Sequence, residues 1–419
     1  MADSIGRTDL AEALASWLAP ILPLRAEAVP APLACDRVLA GALVAWRALP
    51  PYARSAVEGY AVRAADLVGG IALPIAAGGV WAGMTAPALD VGQAMFVATG
   101  AALPDGADSV LPVELARLGE GAGGARLEAI RPVGVGANVR QVGEDLGPDE
   151  EALPAGTEVT PDRLPLVLAA AGGRAVLVAA RPRVLVLPSG DELVRPGQAA
   201  AGTEVMEVAG SAVAARVRQD GGVVHLADPL PDRLEAIRDA LAQAAGQADI
   251  VVTVGGASVG ERDHAARALV AAGGSLRFHG LRLRPGTPAF GGRLGGAAVL
   301  GLPGNPVAAL TIWELLGRPA LLRLAGRAAP EPFSAPLERA CERRPVRDDR
   351  YLRGSVWTEA GGLRVRVWDG QNAGMLVPLA RTNALVRFPA GLARLDVGTA
   401  VEVRLTGRFE PSRPAWARA

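Results

Sequence analysis

Three runs of aliphatic residues constrain the fold of this chain more than any other feature. They are "RPRVLVLP" (181–188), "ADIVVTV" (248–254) and "GAAVLGLP" (296–303), each of strand length and apolar at most positions. A strand with one wet face alternates apolar and polar side chains, so continuous runs suit strands covered on both faces, as in a parallel sheet. Helical patterns lie between the runs. In "PDRLEAIRDALAQAAG", Leu234, Ile237, Leu241 and Ala244 recur at helical spacing, and Pro231 suits the first turn. Strands alternating with helices predict a doubly wound α/β domain over residues 180–326.

In such sheets ligands bind beyond the carboxyl ends of the strands. Each run here is followed by an informative loop: "SGDELVRPG", "GGASVGERD" and "PGNPVAALTIWELL". If the strands are parallel, the three loops converge on one crevice. Gly255, Gly256 and Gly260 permit positive φ and close approach of a ligand to the backbone. Ser258 offers a hydroxyl, and successive free N–H groups form an anion-binding nest. Asn305 suits a helix N-cap and Pro306 a first helical residue, which would point the positive end of that helix into the crevice. Asp191, Glu192 and Asp263 place carboxylates beside this anion site, an arrangement that calls for a bridging hard cation such as Mg²⁺. "GGASVG" matches neither the dinucleotide GxGxxG pattern nor the P-loop, which excludes those readings.

The flanking regions read differently. Leu10, Leu14, Trp17 and Leu18 share one face of an amphipathic N-terminal helix that is interrupted too often to be a signal peptide or a membrane span. Residues 30–178 are short Gly-, Pro- and Val-rich runs with frequent turns, a mainly β texture apart from a helix at 164–171. The tail from 327 returns to short alternating strands, "GLRVRVW", "ALVRFP" and "AVEVRLTG", and predicts a small β-barrel or sandwich. Lys and Arg balance Asp and Glu at 43 each, so no general field favours nucleic acid or an anionic membrane, and an anion site must be built locally. All basic residues are arginine. Cys35 and Cys341 form no motif, and His225, His264 and His279 lack metal-ligand spacing. A reducing, cytoplasmic setting is the expectation.

The three loops, in this order, resemble the MoeA/gephyrin family of molybdopterin molybdenumtransferases. The smaller MogA-like proteins share the α/β segment alone. "PPYARSAVEGYAVRAADL", "ATGAALPDGADSVLPVE" and "GANVRQVGEDLGPDEEALPAGTEVTP" are similar to that family's β-rich domains, and "QNAGMLVPLARTNALVRFP" to its C-terminal domain. The likeness implies four domains: residues 1–46 with 139–179 as domain I, 47–138 as domain II, 180–326 as domain III and 327–419 as a C-terminal β-barrel, domain IV. It also implies a cytoplasmic homodimer that takes adenylylated molybdopterin, uses Mg²⁺, inserts molybdate and releases AMP and molybdenum cofactor. Contacts with the molybdopterin adenylyltransferase and with recipient molybdoenzymes or their chaperones fit that role. Carried over by motif, Ser189, Gly190, Gly255, Gly256, Ser258, Gly260, Arg284, Pro303, Gly304, Asn305 and Pro306 would hold the pterin and phosphate. Glu192, Asp228 and Asp263 would serve metal, adenylate and molybdate chemistry, with Asp191, Glu192 and Asp263 as metal ligands. Glu58, Thr99, Arg140 and Asp145 would contribute from the β-rich part, and Arg140 or Arg284 would hold molybdate.

Several positions depart from the family pattern. "SAMDGYA" is "SAVEGYA" here, giving Glu58. "IYDSN" becomes "VMEVA", giving Glu207 and losing two polar side chains. A lysine aligns with Gly280, the next lysine with Arg284, and the serine of "QGSG" with Ala373. Two functions therefore stand: an active transferase, and a diverged paralogue that binds or delivers molybdopterin without efficient metal insertion.

Overall fold

The computed structural model describes residues 6–121, 124–256, 264–359 and 361–414. They fall into two compact units, Ala28–Val178 and the pair of segments Met1–Glu27 and Ala179–Ala419.

In the second unit the three aliphatic runs form β1 (Arg183–Pro188), β3 (Ile250–Val254) and β6 (Ala297–Leu302). With β2 (Val223–Leu226), β4 (Ser275–His279) and β5 (Phe290–Leu294) they build one sheet in the order β2-β1-β3-β6-β5-β4. β1, β3 and β6 are parallel neighbours as expected, and their register aligns Pro188 with Val254 and Val254 with Leu302. The three strands therefore end level, which brings their following loops together. β5 runs antiparallel to both β6 and β4.

Both faces of the sheet are covered, which is why the strands carry no polar alternation. Ile250, Val252 and Val254 face one core with α1 (Ala209–Gln219) and the helical run α4 (Pro306–Ile312), a π turn (Trp313–Gly317) and α5 (Arg318–Leu324). Val251 and Val299 face the other, with Ile237 and Leu241 of α2 (Leu234–Ala244) and Ala265 and Leu269 of α3 (His264–Ala271). Each such aliphatic side chain contributes about 1.5–3 kcal/mol by burial. Trp17 of the N-terminal helix Leu10–Leu18 joins the first core, and its indole donates to the Leu316 carbonyl at 3.0 Å.

One local expectation shifts. The helix predicted to start near Pro231 begins at Leu234. Ahead of it, the Arg233 N–H donates to the Pro231 carbonyl at 2.7 Å and the Asp232 N–H to the Asp191 carboxylate at 3.1 Å. A turn against the β1 loop takes the place of a first helical turn.

The C-terminal strands Phe333–Pro336, Asp349–Glu359, Gly362–Val367, Ala384–Phe388 and Ala400–Leu405 form a second sheet, with the short strand Leu283–Arg284 added at Asp349 and Arg350. A bridge between Leu337 and Val365 joins the first of these strands to the third and closes the sheet into a barrel around Val356, Val386 and Val403.

The unit Ala28–Val178 is mainly β. Its six-stranded sheet runs Ser109–Pro112, Gly59–Val62, Ala94–Val97, Leu73–Val80, Gly124–Ala129, Ala116–Gly121. The helix Leu164–Ala171 ends on Gly172 in the left-handed conformation.

Candidate functional site

The level ends of β1, β3 and β6 open into a cavity of about 500 Å³. Ser189 and Gly190 follow β1, Gly255 and Gly256 follow β3, and Gly304 and Pro306 follow β6; all line the cavity. Backbone bonds lock the loops level: the Ser189 N–H donates to the Val254 carbonyl at 2.8 Å and the Gly255 N–H to Leu302 at 3.0 Å. The loops pack so closely that glycine is required. Gly255 has φ +98°, and a Cβ there would stand 2.3 Å from the Ser189 carbonyl oxygen. Asn305 caps α4 as expected, accepting from the Val307 N–H at 3.2 Å, with Pro306 as the first helical residue. Ser189 is only 6% exposed, yet its hydroxyl has no hydrogen-bond partner among the described residues. It faces the turn at Gly255 and Gly256, 3.2 and 3.3 Å from where their Cβ atoms would be.

Carboxylates meet this cavity from two loops. Glu192 lines it and folds back over Gly190, where a Cβ would stand 2.8 Å from the carboxylate. Asp232 lines it too, and its buried Oδ1 lacks a partner among the described residues. Asp191 acts through Asp232, whose N–H it accepts. Glu207 is 3% exposed and turns away from solvent onto the start of α1. One of its oxygens accepts from the Gly210 N–H at 2.5 Å, the other from the Ser211 N–H at 3.0 Å and hydroxyl at 2.7 Å.

The C-terminal domain adds Gly374 and Leu376 to the cavity wall. Their loop is held by Arg353, 1% exposed, whose guanidinium donates to the carbonyls of Gly370, Asn372 and Met375 at 2.7–2.8 Å. Burial lowers the Arg353 pKa. Gln371 of the same loop lines a second cavity of about 500 Å³, with Arg284, Thr287, Arg343, Arg344 and Arg350. Burial, then the neighbouring charges of Arg284 and Arg343, lowers the Arg350 pKa. Arg284 itself pairs with Asp348 at 2.9 Å. Gly280 stands in a left-handed turn, φ +82°, and its carbonyl accepts from the Thr8 N–H at 3.0 Å.

In the unit Ala28–Val178 the strand Arg54–Ser55 pairs with Val139–Arg140, and Ser55 exchanges backbone bonds with Gly100 and Ala101. Thr99 precedes Gly100 and Glu58 follows Ser55 by three residues, so both lie near this pairing in the chain. Arg140 pairs with Asp145 at 2.9 Å and with Glu144 at 3.5 Å. The Asp145 hydrogen bond raises the arginine's pKa.

The sequence-predicted residues thus divide. Ser189, Gly190, Glu192, Gly255, Gly256, Gly304 and Pro306 share one cavity, with Pro303 and Asn305 flanking Gly304 in the chain. Asp228 lies outside that lining and pairs with Arg195, both half-exposed or more. Arg284 belongs to the arginine-lined cavity. Ser258, Gly260 and Asp263 lie outside the described residues, so the metal set of Asp191, Glu192 and Asp263 is described only for its first two members. Among the described residues, no group of three or more His, Cys, Asp or Glu side chains converges as a metal site. Asp232, Arg353 and the capping role of Glu207 escaped the sequence reading. The signal for Asp232 was the turn-forming "PLPD" ahead of a helical pattern; a lone buried arginine in a strand leaves none.

Matches to known proteins cover most of the chain. Residues 8–172 match the family description "MoeA N-terminal region (domain I and II)", 185–323 "Probable molybdopterin binding domain" and 335–406 "MoeA C-terminal region (domain IV)". A protein of Mycobacterium tuberculosis named "Molybdopterin molybdenumtransferase 2" is 32% identical over 388 residues, covering 90% of this chain and 94% of its own length. One of Haemophilus influenzae named "Molybdopterin molybdenumtransferase" is 29% identical over 374 residues, 88% of this chain and 91% of its own. The crystal structure of the molybdopterin biosynthesis MoeA protein from Pyrococcus horikosii superposes with a TM-score of 0.81 at 28% identity, covering 96% of this chain and all of that one. With this likeness spanning the β-rich unit, the α/β domain and the closed barrel alike, the chain belongs to the MoeA family.

Proposed function

We propose that this protein is a molybdopterin molybdenumtransferase of molybdenum cofactor biosynthesis. It takes adenylylated molybdopterin and molybdate and releases AMP and molybdenum cofactor. The observation that carries the reading is the Ser189 hydroxyl, without a partner among the described residues, facing the Gly255–Gly256 turn inside a cavity edged by Glu192 and Asp232. A buried hydroxyl without a partner costs free energy, and a phosphate oxygen satisfies it. Positive-φ glycines allow that phosphate to approach the backbone.

Mg²⁺ suits the same wall. The buried Oδ1 of Asp232, without a partner among the described residues, and the Glu192 carboxylate are hard oxygen donors, and Asp191 steadies the Asp232 turn. When bound, the cation takes up negative charge that develops as the phosphoanhydride is cleaved. Asp263 joins these carboxylates in the reading taken from the family pattern. Ser189 and the glycine turn hold the phosphate, the loop fixed by Arg353 bounds the cavity, and the cluster of Arg284, Arg343, Arg344 and Arg350 receives the molybdate dianion. The working assembly under this reading is a cytoplasmic homodimer, a state that light scattering on the purified protein measures.

A second reading, binding or delivery of the cofactor without insertion, draws on Ala373 and Gly280. Neither offers a polar or basic side chain, and Gly280 is committed to a left-handed turn. One assay separates the two. Transferase function requires AMP release from adenylylated molybdopterin that depends on both Mg²⁺ and molybdate; tight pterin binding with no AMP at any molybdate concentration supports the binding reading.

A further inference from the structure

We propose that Glu207 is the residue that orients the ligand in the cavity at the strand ends. It does so by filling the start of α1 with the protein's own carboxylate. This rests on the reading that the cavity takes a ligand with an aromatic ring and a phosphate.

The start of a helix offers free N–H groups and a positive dipole end to an anion. At α1 the second and third of those N–H groups are spent: Gly210 N–H and Ser211 N–H donate to Glu207, as does the Ser211 hydroxyl. The carboxylate is buried and lines the cavity, so a second anion beside it is repelled and loses those donors. The neighbouring wall is apolar, made by Leu193, Val205, Met206, Val208 and Ala209. Among the described residues, spare hydrogen-bonding capacity lies instead at Ser189, beside the Gly255–Gly256 turn. An aromatic phosphate therefore binds with its ring on the Met206–Val208 wall and its phosphate at Ser189. The length of Glu207 matters to this geometry. From the position before the N-cap it reaches the second and third N–H groups of the helix with both oxygens.

The probes are pyrophosphate, AMP and adenosine, titrated calorimetrically against the full chain without divalent cation. Glu207→Gln keeps a capping oxygen and removes the charge, and it is expected to bind pyrophosphate about tenfold more tightly than the wild type. Glu207→Asp keeps the charge and is expected to bind it no more tightly than the wild type. Orientation is read separately in the wild-type background. Ser189→Ala is expected to weaken AMP about tenfold and leave adenosine unchanged, whereas Met206→Ala weakens both equally. Glu207→Gln binding pyrophosphate no better than the wild type, or no binding by either, overturns the proposal. So does an equal loss of AMP and adenosine in Ser189→Ala, a result that stands even if Glu207→Gln fails to fold. Turnover plays no part in these readouts. Loss of transferase activity with the orientation pattern intact counts against the proposed function alone.

Discussion

At Gly255 the chain tolerates no side chain. A Cβ would press 2.3 Å from the Ser189 carbonyl oxygen, and φ of +98° adds about 1–3 kcal/mol of backbone strain for any other residue. Gly255→Ala is thus expected to lower the urea midpoint and to abolish AMP binding together, measured on the same preparation. Asp232→Asn separates chemistry from fold. The residue is half-buried and in no core cluster, so stability should hold within about 0.5 kcal/mol. Its Mg²⁺ affinity, by calorimetry, should fall about tenfold. Unchanged Mg²⁺ binding in that variant would remove Asp232 from the cation site. Residues in and around this cavity were unequally legible in the sequence. The glycines and Asn305 announced themselves because their roles depend on the local backbone. Asp232, Glu207 and Arg353 did not, because each acts through partners that only the folded chain brings near.

Among the elements, the helical run from α4 to α5 carries the most information. Its start is local, and Asn305→Ala should cost about 1 kcal/mol in urea denaturation by removing the bond to the Val307 N–H. Its middle is not local. Glu314 sits in the π turn, buried, with Arg318 at 2.8 Å and Asp220 beyond it on the same guanidinium at 3.1 Å. Burial outweighs the arginine's attraction and raises the Glu314 pKa above the ordinary glutamate range. A folded-state pKa above the unfolded one favours folding when the group is protonated, and that contribution is lost as pH rises through the folded value. Glu314→Gln should therefore be more stable than the wild type at neutral pH, the gap closing as pH falls toward the unfolded glutamate range. A gap that widens on acidification would reverse this assignment. Strand identity was readable from "VLVLP", "IVVTV" and "AAVLGL" because both faces of the sheet are covered. The late start of the helix at Leu234 was not, since Asp191, 41 residues upstream, holds the turn before it.

Across the whole molecule, zero net charge conceals strong local separation. Lys and Arg equal Asp and Glu in number, yet Arg284, Arg343, Arg344 and Arg350 crowd one cavity while Glu192, Glu207 and Asp232 edge the other. The loop held by Arg353 lends Gln371 to the first and Gly374 with Leu376 to the second. Under the proposed function the first cavity would take molybdate and the second, with its cation, the phosphate of the adenylylated pterin. No helix among the described residues is long and apolar enough to cross a membrane. The most direct measurement is AMP release by the purified protein from adenylylated molybdopterin, with Mg²⁺ and molybdate varied independently. Release is expected to need both and to be lost in Asp263→Ala. Retained pterin binding with no AMP release under any combination would contradict this expectation.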